Sequence, residues 1–366
     1  MNITEIENTY NIQFKNFQFK KFEEYYPIIT LIFKLDDLNI NELNVNIEDS
    51  IVLFIIGLYY KYVIKNYKLA KKYFLMATHT NIISDSMVEL GNIYINVGNE
   101  YYLNLQDEND YDPMNNYNIG KTYLLKSIED YNNEYGMHSL GFWYEKIEKN
   151  YELAIKYYLM SGSDISLNNL AEYYETTEYN HELAKKYYLL AIEKGSKESL
   201  NNLAVYYEKI EHNYKLAKHY YLLAIKKGVI PSMNNLGLYY GPNGPEENVE
   251  LMMKYYNLAI NNGNSNAMYN LGYYYDEIIG DDDLALTYYL MAVEKGNINA
   301  IISVGMFYES CDDFENMKKY YEMGIKKGDK TCMKLMYLYY KNKEVNDERA
   351  NYFSSLIFLS TFKENN

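Results

Sequence analysis

The sequence predicts an all-α protein, a right-handed solenoid of about nine antiparallel helix pairs. Three observations lead to this fold class. A segment centred on an alanine recurs every 30–35 residues through most of the chain. Proline is scarce, with 5 among 366 residues, so long helices can run without interruption. Hydrophobic residues make up 48% of the chain, which is enough to bury a core.

The repeat is clearest between residues 180–195 and residues 213–228. Both contain Leu-Ala-Lys, then Tyr-Tyr-Leu-Leu-Ala-Ile, then a final Lys-Gly. The alanine, the tyrosine four residues later and the alanine seven residues later fall on one face of a helix, which we name helix B. Nine copies of helix B are anchored at Ala70, Ile119, Ala154, Ala184, Ala217, Met252, Ala285, Met317 and Ala350.

A second helix, helix A, precedes helix B in each copy and has a small anchor residue of its own. In most copies aromatic residues lie two and three residues after this anchor. Helix A is predicted to begin near residues 50, 83, 134, 165, 198, 231, 266, 299 and 331. One such pair cannot bury its apolar faces alone, so neighbouring copies must stack into a continuous core. The helix-A anchors are Gly57, Gly91, Gly141, Ala171, Ala204, Gly237, Gly272 and Gly305.

Three segments depart from the repeat and complete the predicted domain organisation. Residues 1–49 are predicted to form a helical cap on the first copy, with a separate recruitment motif as the alternative. The repeat array covers residues 50–346 and contains an acidic insertion near 99–116, predicted to be a solvated loop. Residues 347–366 are predicted to form a capping helix and tail, with Asp347 as its N-cap.

The spacing within one copy resembles the tetratricopeptide family, and most closely its Sel1-like branch. The segment Asn262-Gly-Asn-Ser-Asn-Ala-Met-Tyr-Asn-Leu-Gly-Tyr-Tyr-Tyr275 has the glycine, alanine, Leu-Gly pair and tyrosine of the Sel1-like core. Ala285, Tyr289 and Ala292 continue the pattern. The resemblance covers about residues 50–353. It implies a solenoid of interaction repeats and does not single out a partner.

One polar feature keeps its register through four copies, because an asparagine lies two residues before the helix-A anchor. This ladder consists of Asn169, Asn202, Asn235 and Asn270. The resemblance implies a role for it, since tetratricopeptide proteins place at this position an asparagine that clamps a bound peptide backbone. An amide suits that role because it offers one donor group and one acceptor. The alternative is that duplication copied the Asn-Asn-Leu triplet, which then only caps or hydrates helix A.

Acidic residues accompany the ladder on helix A, which lines the concave wall of a solenoid. The acidic residues predicted to line that wall with the ladder are Glu172, Glu175, Glu208, Asp276 and Glu309. Their charge favours a neutral or basic extended segment as the ligand. The prediction is therefore a non-enzymatic scaffold or adaptor that binds an extended peptide or a partner helix. The alternative is a structural protein that self-associates into a homo-oligomer through tyrosine-rich surfaces.

Charge and composition argue against several other partners and activities. The net charge is −15, and Arg349 is the single arginine, which disfavours nucleic acid and anionic membranes. No apolar run reaches the roughly 18–20 residues that span a bilayer, and Met1–Tyr10 lacks a signal-peptide pattern. With two cysteines, Cys311 and Cys332, the sequence favours a reducing, cytoplasmic location. The histidines are scattered, so we expect no metal, cofactor or catalytic site.

Overall fold

The structure is a computed structural model that describes residues 26–33, 49–78, 83–96 and 113–364, with residues 5, 6, 9 and 12 besides. All regular elements in these ranges are helical. A short helix, α1, covers Tyr26–Ile32 and precedes nine helix pairs.

The two helices of each pair alternate along the chain. The A helices are α2 (Ser50–Tyr62), α4 (Ile83–Asn96), α6 (Glu134–Trp143), α8 (Asp164–Thr176), α10 (Glu198–Lys209), α12 (Ile230–Tyr240), α14 (Ser265–Tyr274), α16 (Ile298–Ser310) and α18 (Lys330–Asn342). The B helices are α3 (Tyr67–Ala77), α5 (Pro113–Tyr131), α7 (Tyr151–Ser161), α9 (His181–Glu193), α11 (Tyr214–Lys226), α13 (Val249–Asn261), α15 (Asp282–Glu294), α17 (Phe314–Lys326) and α19 (Asp347–Glu364). Wider π-helical turns, Tyr144–Glu148 and Tyr275–Ile279, extend α6 and α14.

The predicted fold class is confirmed, and the A helices begin within one residue of the predicted positions. Local chemistry sets the helix ends. Most B helices begin after a side chain that accepts a hydrogen bond from the third backbone N–H, which satisfies one otherwise unpaired donor. These capping residues are Asn66, Asn150, Asn180, Asn213, Asn248, Asp281 and Asp313.

The small helix-A anchors allow a tyrosine ring from helix B to pack against the backbone. A Cβ atom added to Gly237 would lie 2.5 Å from the ring of Tyr256, and one added to Gly305 would lie 2.3 Å from the ring of Tyr321. These contacts are too short for a side chain to fit without movement of the ring. The B helices α7, α9, α11, α13, α15 and α17 each contain two adjacent tyrosines, which we name the helix-B pair. The second tyrosine of each helix-B pair is part of the core, as its spacing predicts.

The first tyrosine of each helix-B pair stacks on an aromatic ring of its own helix A. Tyr187 stacks on Tyr174 with ring centroids 5.6 Å apart, and Tyr288 stacks on Tyr275 at the same distance. The interplanar angles are 9° and 1°. Both tyrosines of the pair thus pack within the repeat, which accounts for much of the unusual tyrosine content.

The chain divides into two compact units, Met1–Ser199 and Leu200–Asn366. The core of the first unit is continuous around Phe54, Phe74 and Leu90 in the first repeats. In the second unit a corresponding cluster surrounds Tyr321 and Met336. Each unit thus has a hydrophobic core of its own built from stacked helix pairs.

The segments outside the repeats are described in part. Most of the predicted N-terminal cap and the acidic loop up to residue 112 lie outside the described residues. The C-terminal helix α19 packs on α18 and completes the ninth pair. The backbone N–H of Arg349 donates to Asn346 Oδ1 at 3.1 Å, so Asn346 caps this helix. The prediction of Asp347 as the cap was wrong by one residue, because Asp347 already lies within the first turn.

Candidate protein-interaction face

One side of the A helices carries the residues that the sequence singled out. We name this side the helix-A face. It consists of the positions two or three residues before each anchor, one residue after it and four residues after it. Because residues three or four apart lie above one another on a helix, these positions form one stripe on each A helix.

Two of the four ladder asparagines bind the preceding repeat. Asn235 Nδ2 donates to Asn201 Oδ1 at 3.0 Å, and Asn270 Nδ2 donates to Asn234 Oδ1 at 2.9 Å. All four ladder residues, including Asn169 and Asn202, are half-buried. Asn235 and Asn270 therefore join neighbouring A helices, a role that their spacing along the chain did not indicate.

The asparagine three residues before the anchor is the acceptor at the centre of this network. Asn201 Oδ1 also receives the hydroxyl of Ser232 at 2.8 Å, and Asn168 Oδ1 receives the hydroxyl of Ser199 at 2.7 Å. Each donor serine lies five residues before the anchor of its own helix. The Asn-Asn pair recurs at a fixed distance from this serine, and that recurrence in the sequence could have indicated the network.

Most of the predicted acidic residues accept a hydrogen bond from a core tyrosine. The acceptor lies four residues after the helix-A anchor, and the donor is the second tyrosine of the following helix-B pair. The donor and acceptor pairs are Tyr158 with Glu145 (2.8 Å), Tyr188 with Glu175 (2.6 Å), Tyr221 with Glu208 (2.9 Å), Tyr289 with Asp276 (3.0 Å) and Tyr321 with Glu309 (3.1 Å). Glu175, Glu208 and Asp276 thus hold the hydroxyl of a buried ring in place.

Burial and the nearby carboxylate change the acidity of these phenols. Burial, followed by the charge and hydrogen bond of Glu208, raises the pKa of Tyr221 far above its ordinary value. Tyr256 has no such partner, because Gly241 occupies the acidic position in its repeat, and burial alone raises its pKa. Glu172 differs from the other acids, since it is exposed and accepts a hydrogen bond of 2.8 Å from Asn168.

Charge is distributed unevenly between the two sets of helices in the second unit. Helices α12, α14 and α16 contain no lysine or arginine. The acidic residues Asp276, Glu277 and Glu309 lie at the ends of α14 and α16. Lysines occur on the B helices, at Lys215, Lys218 and Lys226 of α11, Lys254 of α13, and Lys318, Lys319 and Lys326 of α17. They occur also on two other A helices, at Lys209 of α10 and at Lys330, Lys334 and Lys341 of α18. The A helices of this unit are therefore acidic at the ends of α14 and α16, whereas α12 is uncharged and the charged residues of α18 are all lysines.

A cavity of about 400 Å³ in the first unit departs from the repeat pattern. Its lining includes Lys61, Tyr62, Tyr135 and His138. Lys61 forms an ion pair with Glu89, whose side chain is fully buried. Later copies carry a carboxylate at the helix-A-face position of Lys61. They carry asparagines at the positions of Glu89 and His138. Alignment of the repeats on their anchors would have revealed these three replacements.

Three further observations concern metal ligands, the two thiols and membrane-spanning helices. Within the described ranges, no three histidine, cysteine, aspartate or glutamate side chains lie close enough together to hold a metal ion. Burial raises the pKa of the Cys332 thiol to about 12, and Cys311 is exposed. In the same part of the chain, no helix has the length and apolar character needed to cross a membrane.

Comparison with protein-family models assigns the repeats. The Sel1 repeat model matches residues 56–79, 135–163, 165–196, 197–229, 230–264 and 265–297, which together exceed half of the chain. The chain belongs to the Sel1 repeat family. Sel1 repeat proteins generally mediate protein–protein interactions, and the family is generally non-enzymatic. No curated protein matches this Sel1 repeat chain.

Solved structures similar to this Sel1 repeat protein include three of differing origin. A protective antigen of uropathogenic Escherichia coli strains with an SLR fold is 18% identical, with 86% of this chain and 72% of that chain covered and a TM-score of 0.46. A Sel1 repeat protein from Oxalobacter formigenes is 24% identical, with coverages of 60% and 96% and a TM-score of 0.44. The human IFIT1 dimer with PPP-AAAA is 12% identical, with coverages of 84% and 79% and a TM-score of 0.48. At these identities the comparison concerns the fold and not what this chain binds.

Proposed function

We propose that this Sel1 repeat protein is a non-enzymatic scaffold whose helix-A face binds a neutral or basic segment of a partner protein. The single observation that carries the proposal is the set of acids at the ends of α14 and α16, two A helices that contain no lysine or arginine. An acidic face attracts a basic segment and repels acidic competitors, among them nucleic acid. A cytoplasmic place of action belongs to the same proposal.

The proposed site combines the ladder with the acidic positions. The half-buried Asn169, Asn202, Asn235 and Asn270 would direct amide groups toward a partner backbone while two of them also bind the preceding repeat. The carboxylates of Glu172, Glu175, Glu208 and Asp276 would supply the negative field. A tyrosine hydrogen bond does not neutralise a carboxylate, so its charge still acts on a partner.

The domain organisation remains part of this proposal. Residues 50–346 would form the interaction array, and residues 1–49 would cap its first copy. The helix that begins at Asp347 would cover the last A helix with its buried residues Ala350 and Phe353. Each cap would keep the exposed end of the stacked core from binding a second chain.

The test requires a partner, which proximity labelling in the native cell would supply. The bound segment is then titrated by calorimetry against the wild type and an Asp276→Asn/Glu309→Gln variant. These amides keep an acceptor oxygen for Tyr289 and Tyr321 while removing two charges. We expect about tenfold weaker binding, or ~1.4 kcal/mol, together with a smaller loss of affinity at high salt.

A matched control removes two exposed charges from the B helices. The variant Glu250→Gln/Glu294→Gln changes the net charge by the same amount on α13 and α15. It should bind the partner as the wild type does. Equal affinities for all three proteins, or a larger loss in the control, would contradict binding at the helix-A face.

Self-association is the second candidate function, and exposed apolar residues on the B helices favour it. Leu222 and Leu223 of α11 are 43% and 36% exposed, and Leu258 of α13 is 36% exposed. Light scattering of the purified chain between micromolar and hundred-micromolar concentration tests this function. A concentration-dependent dimer that Leu222→Ser/Leu223→Ser dissociates would support it, and a constant monomer mass would contradict it.

A further inference from the structure

One of the core tyrosines, Tyr256 of α13, lacks the carboxylate that its counterparts bind. In five other repeats the corresponding hydroxyl donates to an acid four residues after the helix-A anchor, at 2.6–3.1 Å. Gly241 occupies that position in the repeat of Tyr256 and has no side chain to accept the bond. Burial alone raises the pKa of Tyr256, whereas a hydrogen bond to the acid also raises the pKa in those five repeats. This repeat therefore has a donor without its usual acceptor.

The hydroxyl of Tyr256 is open to a group from outside the chain. Tyr256 is 3% exposed, so the repeat encloses almost all of the ring. Its oxygen, Oη, is not among the fully enclosed polar atoms that lack a hydrogen bond in the described part of the chain. An oxygen with neither a partner nor full enclosure lies at the surface. Because the hydroxyl of a buried tyrosine usually binds a partner, this one favours an external acceptor.

In other repeats the residue two positions before the next anchor interacts with this hydroxyl. Burial raises the pKa of Tyr158, and a hydrogen bond with Asn169 opposes that rise. Ser303 has the same effect on the tyrosine of the seventh repeat. The residue at this position after Tyr256 is Asn270, whose amide nitrogen has a second N–H besides the one that it donates to the preceding A helix. By the equivalence of the repeats, Tyr256 and Asn270 are the donors beside Gly241, and we name these three residues the Gly241 site.

A carboxylate is the group that the fold itself places beside this tyrosine. Its two oxygens can accept hydrogen bonds from a phenol and an amide at the same time, and a bond to a charged acceptor is stronger than one to a neutral acceptor. Helix α12 carries no charged residue. A carboxylate from a partner would therefore restore the charge that the equivalent position has in other repeats. Those repeats supply it from Glu145, Glu175, Glu208, Asp276 and Glu309.

We propose that the Gly241 site binds the side-chain carboxylate of an aspartate or glutamate of a partner protein. The carboxylate accepts hydrogen bonds from Tyr256 Oη and Asn270 Nδ2. The inference goes beyond the proposed function, because it places one acidic residue at a fixed point of a segment that is otherwise neutral or basic. Five other repeats already hold an acid of their own at this position, so the contact also fixes the register of the segment along the array.

The probe is sodium propionate, titrated into the full chain with 3-fluorotyrosine in place of Tyr256 and followed by fluorine NMR. A second protein has the label in place of Tyr221, whose hydroxyl already donates to Glu208. Sodium chloride at equal ionic strength and propionamide are the control solutes. We expect propionate to shift the resonance of the first protein in a saturable manner. The control solutes, and propionate with the second protein, should give shifts at least about fivefold smaller.

Two variants locate the binding of propionate. Gly241→Glu supplies the missing acid within the chain, and the backbone of Gly241, with φ −75° and ψ 174°, suits any residue. An added Cβ would lie 3.3 Å from the nearest atom, so a small adjustment accommodates it. Leu238→Glu adds the same charge at an exposed position of α12. We expect Gly241→Glu to abolish the propionate shift at Tyr256 and Leu238→Glu to retain it, with circular dichroism to verify that both variants are folded.

The partner captured by proximity labelling tests whether the Gly241 site is used. Tyr256→Phe should weaken its binding about tenfold, and so should the change of one partner aspartate or glutamate to its amide. When both changes are combined, the second should cause no further loss, because they remove the same hydrogen bond. Independent, additive losses would show that the partner acid lies elsewhere.

Four results would overturn the inference: no saturable shift with propionate, an equal shift with propionamide, equal behaviour of the Gly241→Glu and Leu238→Glu variants, or unchanged partner affinity in Tyr256→Phe. The proposed function fails separately, when the Asp276→Asn/Glu309→Gln variant binds the captured partner as the wild type does. A partner that depends on those two acids and not on Tyr256 rejects the inference alone.

Discussion

The hydroxyl of Tyr221 donates a hydrogen bond of 2.9 Å to Glu208, whose carboxylate belongs to the preceding A helix and is almost entirely buried. The same relationship recurs in four other repeats. It joins helix A to helix B at the point where the ring packs on the small anchor. Glu208, which the sequence predicted to line a binding wall, therefore also fixes the position of a core tyrosine.

Loss of the Tyr221 hydroxyl should destabilise the chain. Tyr221→Phe removes a buried hydrogen bond to a charged acceptor, and we expect a loss of about 1.5–3 kcal/mol in the free energy of unfolding. Urea denaturation followed by circular dichroism measures it. Tyr256→Phe is the matched control, because Gly241 leaves that tyrosine without a carboxylate, and its loss should be clearly smaller. Equal losses would show that the carboxylate contributes nothing.

The ladder asparagines should contribute to stability as well as to any binding. Asn235→Ala/Asn270→Ala removes two hydrogen bonds between A helices, each worth about 0.5–1.5 kcal/mol, and should lower the free energy of unfolding accordingly. Asn257, an exposed residue of α13, supplies the control. Asn257→Ala should leave stability unchanged or raise it slightly, because alanine favours helix. An unchanged unfolding midpoint for the double variant would show that these two hydrogen bonds do not stabilise the fold.

Stability should fall in mild acid because of His138. Burial lowers the pKa of His138 to about 4, against an opposing effect of Asp164. The unfolded chain binds a proton near pH 6.5 and the folded chain does not, so stability decreases as the pH falls from about 6.5 to 4. The loss is at most about 3 kcal/mol, since the ring is only partly buried. Urea midpoints measured at pH 7 and at pH 4.5 quantify it.

A matched variant assigns that pH dependence. His138→Asn places at this register the residue that three later A helices carry, as at Asn168. The ring also contacts Ser166, with Nδ1 and Oγ 3.0 Å apart, and stacks on Tyr135. The variant should be less sensitive to acid than the wild type by about the amount attributed to His138. An identical decrease in both proteins would place the responsible group elsewhere.

Alkaline solution should unfold the chain cooperatively. Burial raises the pKa values of the core tyrosines, so above about pH 10 the unfolded chain releases protons that the folded chain retains. Their contribution to stability is complete below that pH and is lost above it. Absorbance at 295 nm and circular dichroism should therefore show a late group of tyrosines that ionise together with the loss of helix. Ionisation of all 47 tyrosines near pH 10 with helix retained would contradict this.

The register of the repeat was predictable because it depends on short-range spacing. An alanine, a tyrosine four residues later and a small residue on the preceding helix specify two amphipathic helices and their contact, and most of the pairs follow from that pattern. The prediction of Ile119 as the helix-B anchor of the second copy was wrong by one residue, because the buried Gly120 and Leu124 lie at the contact with Gly91. Even the capping asparagines could be found, since a cap is a local interaction. The error at Asp347 was a choice between two adjacent residues that can both cap a helix.

The sequence by itself determined the fold class and the approximate number of helix pairs, since periodicity is a property of the linear chain. Only the tertiary structure decided where the polar groups bind. The bond from Asn270 to Asn234 joins residues 36 positions apart, and the bond from Tyr289 to Asp276 depends on the packing of two helices. Two polar groups form a hydrogen bond only when they are close in space. The spacing of residues along the chain does not specify that distance when the two groups lie on different packed helices. For that reason asparagines that were predicted to form a binding surface also join neighbouring repeats, and the predicted carboxylates also join the two helices of one repeat.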